Sequence, residues 1–413
     1  KDSYAEWDWD KILQTKLLAT SPNLKQKSPH VKKFIQTLST AKKILDEYPL
    51  CTVCTGRLFV KKLGLLSFEQ LGKKIYRLLQ KSEPTKCFVC KNFLLKTNYF
   101  VDKLLDISSE YEFSTFLVGA ILKPSIVDND DEVRSKFQLR GIDSVKTDFT
   151  NQIAKIFSKK TKSRIDYLNP EITLTIDLKT DSCQVKSKPL FLFGKYTKTE
   201  RGIPQKEKPC SNCEGKGCRT CKNHGICTFD SVEGKIAQVV FDKFGADQIK
   251  ITWIGGEDKT SLVLNKGRPF FVKVINPKKR NIKLVKKITQ DKVVIHNLHL
   301  IKQNPKTSFP FKTKIQLHVE TEDNITKDSL NPLETLIKNT IAVYDKNKRN
   351  EKLIYSVKYD VLSSTSFSLS MTADGGLPIK RFVEGTDVFP NLTDLIGTKC
   401  SCKEFDFHEV KLV

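Results

Sequence analysis

Apolar residues at Val31, Phe34, Ile35, Leu38, Ala41 and Leu45 recur at helical spacing and predict one face of a helix in a largely helical stretch, residues 1–50. Leu58, Leu63, Leu65, Leu66, Phe68, Leu71, Ile75 and Leu78 predict one or two short helices beyond it. From about residue 95 the character changes. A helical pattern over 144–157 precedes Ile172-Thr173-Leu174-Thr175-Ile176-Asp177-Leu178, whose strict alternation predicts a half-buried strand. Pro189-Leu190-Phe191-Leu192-Phe193-Gly194 predicts a second strand ending at a glycine.

A charged, glycine-rich stretch over 195–225 has few large apolar residues and separates two halves. After it, Asp230-Ser231 can cap a helix with Val232, Ile236, Val239, Val240 and Phe244 on one stripe. Ile249, Ile251 and Trp253 alternate with Lys250 and Thr252, which is strand spacing, and Gly255-Gly256-Glu257-Asp258 ends that strand in a loop. The pattern resumes over 262–264, turns at Asn265-Lys266-Gly267 and continues over 270–275. No internal repeat of fixed period is present.

Charge narrows the choice of partner. The 413 residues hold 71 Lys+Arg against 47 Asp+Glu, a formal net charge of +24. The surplus is spread along the whole chain, so a polyanion, nucleic acid first, is the expected partner. The length implies two or three domains. The α/β segment before residue 195 then reads as an RNA-binding module. Residues 1–7 do not resemble a secretory signal, and no uncharged apolar run is long enough to span a bilayer. The expectation is a cytoplasmic protein with no membrane partner.

Eight of the 12 cysteines form CxxC pairs: Cys51/Cys54, Cys87/Cys90, Cys210/Cys213 and Cys218/Cys221. In a reducing compartment such pairs read as metal ligands rather than disulfides. Each CxxC turn aims two sulfurs at one point, and two turns complete a tetrahedral zinc site. Cys51, Cys54, Cys87 and Cys90 are therefore expected to hold one structural zinc. Cys210, Cys213, Cys218 and Cys221 offer a second, tighter set, with His224 as a substitute ligand. Cys183, Cys227, Cys400 and Cys402 fall outside the pattern and read as buried small hydrophobes. Pro209-Cys210-x-x-Cys213 is half of a zinc-deaminase signature, but no HxE or CxE precedes it, which excludes that chemistry.

Glu257-Asp258 places two carboxylates on a glycine turn, followed by Lys266, Arg268, Lys278, Lys279 and Arg280. A carboxylate among cations suits an acid that stays ionised beside a nucleic-acid backbone. A thiouridine-synthetase loop would need hydroxyls where Ile254 and Lys259 stand.

Several motifs in order carry a resemblance. They are Cys51-x-x-Cys54-x-Gly56-Arg57-Leu58-Phe59, Gly194-Lys195-Tyr196-x-Lys198-x-x-Arg201-Gly202-Ile203-Pro204-Gln205, the cluster from Cys210 to Cys221, and Ser231-Val232-Glu233. Gly255-x-Glu257-Asp258, Gly267-Arg268-Pro269-Phe270, Gly376-Leu377-Pro378-Ile379-Lys380 and Phe382-Val383-x-Gly385 follow. In these the chain resembles the archaeal-type tRNA pseudouridine synthases acting on T-arm positions 54 and 55, the Pus-ten family.

The resemblance implies an α+β multidomain fold: a zinc-binding, THUMP-like RNA-binding part and a mixed-sheet pseudouridine synthase domain. The expected boundaries are 1–95 helical and zinc-binding, 96–205 THUMP-like, 206–227 a Cys-rich linker and 228–413 catalytic. It implies uridine isomerisation in tRNA with structural zinc, no organic cofactor and no small-molecule cosubstrate. Asp258 takes the catalytic position, Lys380 its basic partner, and Lys195, Lys198, Arg201 and Arg268 the RNA contacts. Glu257, with the same charge one residue away, is the control: Glu257→Gln is expected to retain much more activity than Asp258→Asn. Three positions depart from the family: Gly256 for an arginine, Pro378 for an aromatic, and Ile315 where the pocket tyrosine falls, with Tyr344, Tyr355 or Tyr359 as substitutes. The competing readings are a non-catalytic tRNA-binding protein and a THUMP-linked thiouridine synthetase.

Overall fold

A computed structural model describes residues 29–63, 67–303, 309–337, 339–346 and 348–413. The predictions for Leu65 and Leu66, for the side chains of Val31 and Phe34, and for residues 1–28 lie outside what is described. The chain divides into two compact units, Lys1–Lys186 and Ser187–Val413.

The first unit opens with three helices, α1 (Pro29–Glu47), α2 (Thr52–Leu63) and α3 (Phe68–Leu79). Ser67 caps α3: its hydroxyl accepts from Gln70 N while the Gln70 side chain accepts from Ser67 N, a closed capping box. Gly56 and Gly72 let α2 and α3 touch backbone to backbone, since a Cβ at either would strike main-chain atoms of the other helix. Helix α4 (Thr97–Ser108) leads into an α/β layer of β1 (Thr115–Ile121), α5 (Pro124–Lys136), α6 (Val145–Thr161), β2 (Arg164–Ile165), β3 (Ile172–Asp177) and β4 (Ser182–Ser187). The strand order is β2-β1-β3-β4, with β1 parallel to both neighbours. As alternation predicts, Ile172, Leu174 and Ile176 face inward with Phe116, Val118 and Ala120. They share one core with Cys51, Leu58 and Leu71.

Arg57 ties this unit together. It is fully buried on α2 and pairs with Asp130 of α5 and, at 3.4 Å, with Asp148 of α6. Burial pushes the Asp148 carboxyl up to about 6, with Arg57 opposing the shift. The helices before residue 96 and the α/β layer after it thus share one continuous core.

The second unit contains β5 (Leu190–Lys198), α7 (Val232–Phe244), β6 (Gln248–Trp253), β7 (Val263–Ile275), β8 (Lys287–Gln290), β9 (Val293–Ile301), β10 (Phe311–Thr321), β11 (Thr340–Asp345), β12 (Lys348–Ser363), β13 (Ser366–Asp374), α8 (Ile379–Glu384), β14 (Val388–Phe389), α9 (Leu392–Ile396) and β15 (Cys400–Leu412). Its sheet runs β14-β11-β12-β13-β10-β15-β7-β5-β9-β8, with β6 against β7. Leu317 of β10 sits in register with Leu369 of β13 and Phe405 of β15, and all three are buried. Ser231 caps α7, its hydroxyl accepting from Gly234 N.

Three boundaries differ from expectation. Strand β5 pairs with β7 and β9, so 190–198 belongs to the second unit rather than to the RNA-binding module. The stretch 206–227 is no free linker: it closes on itself through a Pro209–Ile226 bridge and is tethered by a 2.8 Å hydrogen bond from Gln248 Nε2 to Lys216 O. Asn265-Lys266-Gly267 is not a turn between two strands but an irregularity within β7, with positive φ at Asn265 and Gly267. Gly267 is required there because a Cβ would lie 2.6 Å from Tyr196 O.

Candidate active site and metal centres

Glu257 and Asp258 follow β6 on one loop and occupy opposite environments. The Glu257 side chain is fully buried. Lys198 Nζ lies 3.1 Å from Glu257 Oε1, and Arg268 Nε 3.7 Å from Oε2. Tyr196 donates its hydroxyl to Oε2 at 2.8 Å, and Gln205 Nε2 donates to that hydroxyl oxygen and to Gly255 O. Burial, then the Glu257 charge, hold the Tyr196 hydroxyl well above its ordinary range, so it remains a donor. Lys198 Nζ also donates to Ile203 O at 2.9 Å, and Arg268 Nη1 to Ile254 O at 2.8 Å while its guanidinium lies over the Phe407 ring.

This arrangement corrects two expectations for RNA contact. Lys198 and Arg268 are fully buried, so neither can reach a phosphate. Strand parity explains why: Leu192, Tyr196 and Lys198 alternate inward on β5, as Arg268, Phe270 and Val272 do on β7. Arg201 is committed as well. It grips Asp406 with two hydrogen bonds of 2.7 and 2.8 Å, donates to Thr260 O at 2.6 Å and pairs with Glu404. Asp406 in turn accepts from Leu262 N, and Gly202 N donates to Lys259 O. The segment 196–205 is thus a cradle for the loop 254–262. Lys195 points to the opposite face and stays partly exposed.

Asp258 is partly exposed. Its Oδ2 accepts from Lys380 Nζ at 2.7 Å, and its Oδ1 accepts from Thr260 N at 3.0 Å and Thr260 Oγ1 at 2.9 Å. The Lys380 hydrogen bond, followed by those from Thr260, draws the carboxyl down to about 2. The same contact raises the Lys380 ammonium. Lys380 enters from the second position of α8, after Gly375-Gly376-Leu377-Pro378. Phe311 fixes the separation of the two loops. A Cβ at Gly255 would lie 2.6 Å from its ring, and a Cβ at Gly375 would collide with the same ring. Sequence reading missed Phe311, because nothing local marks its contact with two distant glycines.

Gly256 faces open space, with nothing within 4 Å of an added Cβ. Ile315 is buried in β10 between Met371 and Phe407. Of the substitutes, Tyr355 donates to Asp374 at 2.8 Å, Tyr359 to Asn331, and Tyr344 packs on Phe389; none touches Asp258 or Lys380 among the described residues.

Both cysteine sets converge. In Cys51, Cys54, Cys87 and Cys90 the sulfurs all lie within 4.8 Å of one another, and the four residues are buried. Hydrogen bonds from Cys51, Cys54 and Cys90 lower the Cys87 thiol, while contacts led by Cys51 push Cys54 and Cys90 up. The four converging sulfurs could hold a metal ion. Cys210, Cys213, Cys218 and Cys221 meet the same distance criterion. Backbone N–H groups of Gly217, Cys218 and Gly225 donate to their sulfurs, and left-handed backbone at Glu214, Gly215, Gly217, Lys222, Asn223 and Gly225 permits the tight turns. His224 is no ligand: it stacks on Phe241 at 3.8 Å and its Nδ1 contacts Asp247 O. Cys400 is buried, whereas Cys227 is exposed, contrary to its reading as a buried hydrophobe.

The family description "Pus10 THUMP domain, archaeal" matches residues 100–177, and "Pus10, C-terminal" matches 191–411. A relative from Nitrosopumilus maritimus, named tRNA pseudouridine synthase Pus10, is 47% identical over 90% of this chain and 97% of its own. The chain belongs to the Pus10 family. Relatives of the same name from Cenarchaeum symbiosum and Methanocaldococcus jannaschii are 37% and 28% identical, each over 88% of this chain and over 90% and 92% of their own. The matched Pus10 regions begin beyond the whole of the first cysteine set, and the C-terminal match contains the Asp258 loop, Lys380 and the second cysteine set.

Proposed function

We propose that the chain is a tRNA pseudouridine synthase that isomerises uridine 54, uridine 55 or both in the T-arm, with Asp258 as its catalytic carboxylate. The observation that carries this reading is the contrast between the two adjacent carboxylates. Glu257 is locked in the interior, while Asp258 is presented at the surface of the loop, held ionised by Lys380 and Thr260. An ionised carboxylate can attack covalently or take a proton. Isomerisation breaks the C1′–N1 bond, forms C1′–C5, removes the C5 proton and places one on N1. Its atoms balance without a cosubstrate. A base in a folded tRNA reaches the carboxylate only when flipped from its stack.

Lys380 is read as the charge partner of Asp258, and Lys195 as an RNA contact. The cysteine sets are read as two structural zinc sites, since tetrahedral thiolate sets leave no open coordination position. Thiols disposed as ligands suit a reducing cytoplasm. Among the described residues no helix is long and apolar enough to cross a membrane. Incubating the protein with an unmodified tRNA transcript and mapping pseudouridine tests the reading; product confined to positions outside the T-arm contradicts it.

A further inference from the structure

The second unit's sheet has one face packed beneath α7, with Leu192, Tyr196, Phe270, Val272 and Ile295 sharing a core with Ile236 and Val240. The register of β5 to β9 places very different residues on the reverse face. One cross-strand row is Lys250, Lys273, Phe191 and Ile301. The next is Thr252, Phe271, Phe193 and His299. A third is Pro269, Lys195, His296 and Lys287. The aromatics form a connected set: Phe193 meets Phe271 at 5.0 Å and His299 at 5.6 Å, and Phe309 stacks on Phe271 at 5.0 Å.

No Asp or Glu lies in these rows. Lys195, Lys250, Lys273 and Lys287 have no ion-pair partner among the described residues, and Lys250 and Lys273 are directly cross-strand. Like charges so placed destabilise a sheet. Burial, and after it the nearby Lys287 charge, lowers the His296 imidazole. A middle row of partly exposed rings between rows of uncompensated lysines is costly for folding alone. It matches the two demands of single-stranded RNA, flat surfaces for bases and cations for phosphates.

We propose that this reverse face of β5–β9 is an RNA-docking surface that stacks an unpaired base of the tRNA on Phe193, beside the stacked Phe271–Phe309 pair, and holds its backbone with Lys195, Lys250, Lys273 and Lys287. The proposal rests on tRNA being the partner. It assigns RNA contact to a face turned away from the buried Tyr196, Lys198 and Arg268 that support the Asp258 loop.

The test is binding of an unmodified tRNA transcript to the full chain over a range of salt, with thermal melts confirming that each variant is folded. Lys250→Ala with Lys273→Ala should weaken binding about tenfold and lower the slope of log K against log salt by about 1.5, as loss of two phosphate contacts demands. Phe193→Leu should weaken binding at least about fivefold through lost stacking while leaving the slope unchanged. Folded variants that bind like the wild type overturn the proposal. So does a wild-type dimer that the lysine variant dissolves with its tRNA slope intact, which would make the face a contact between copies. A wild-type chain that ignores tRNA at low salt overturns the underlying reading instead, and absence of pseudouridine formation leaves this binding test unaffected.

Discussion

Lys198 Nζ stands 3.1 Å from Glu257 Oε1 with both side chains fully buried, one residue before the carboxylate that Lys380 holds at the surface. The pair fixes the loop from beneath: Lys198 also donates to Ile203 O, and Arg268, beside Glu257, donates to Ile254 O.

Glu257, the same-charge control for Asp258, also supports the loop from within. Glu257→Gln leaves Lys198 and Arg268 with no buried countercharge. Removing one partner of a buried pair costs about 3–5 kcal/mol. Denaturant melts at neutral pH should show a loss of that order for Glu257→Gln and a distinctly smaller one for the partly exposed Asp258→Asn. Equal melts for the two would mean that Glu257 is not paired in solution.

The low Asp258 value makes a pH prediction. Its folded carboxyl, at about 2, lies below the ordinary 3.8, so the stabilisation from its contacts is full above 3.8 and disappears as pH falls through about 2. For catalysis, the ionised form persists to the same low pH. Replacing Lys380 with Met removes the largest cause of the depression, and the acid limb of kcat/KM should move upward toward 3.8. Lys380→Arg should keep the limb low, because the charge persists with altered geometry. An acid limb unmoved in Lys380→Met would separate Lys380 from Asp258 in function.

Elemental analysis should give two zinc ions per chain, with one lost in Cys51→Ser and the other in Cys210→Ser. The first set is embedded in the core of its unit beside Leu50 and Val89, so its loss should lower the melting temperature much more than loss of the second. Native disulfides within either set would contradict the assignment.

Gly256 and Gly375 should respond oppositely to substitution. Open space at Gly256 accepts the family's arginine, and Gly256→Arg should fold normally. Gly375→Ala drives a Cβ into the Phe311 ring and must shift either loop, so it should slow turnover while sparing tRNA affinity. Turnover measured at saturating tRNA distinguishes the two.

Much of this was legible in sequence because local pattern and tertiary role coincide. Ser231 caps its helix, Ile172 to Asp177 alternate as a half-buried strand, and the CxxC turns converge as their spacing requires. The errors arose where charge was read without parity. Lys198 and Arg268 are basic residues in an RNA-binding chain, yet each occupies the inward phase of its strand. Counting by twos from Leu192 and Val272 would have placed both inside. The same counting places Lys195, Phe193 and Phe271 outside. Phe311 against Gly255 and Gly375, and Arg201 against Asp406, depend on strands far apart in sequence, which no periodicity encodes.

The most direct measurement is single-turnover pseudouridine formation on an unmodified tRNA transcript by wild type and Asp258→Asn at matched, saturating protein. The amide preserves size and cannot act as nucleophile or base, so the account predicts product from the wild type and none from the variant, with tRNA affinity nearly unchanged. Formation of pseudouridine by Asp258→Asn at the wild-type rate would contradict it.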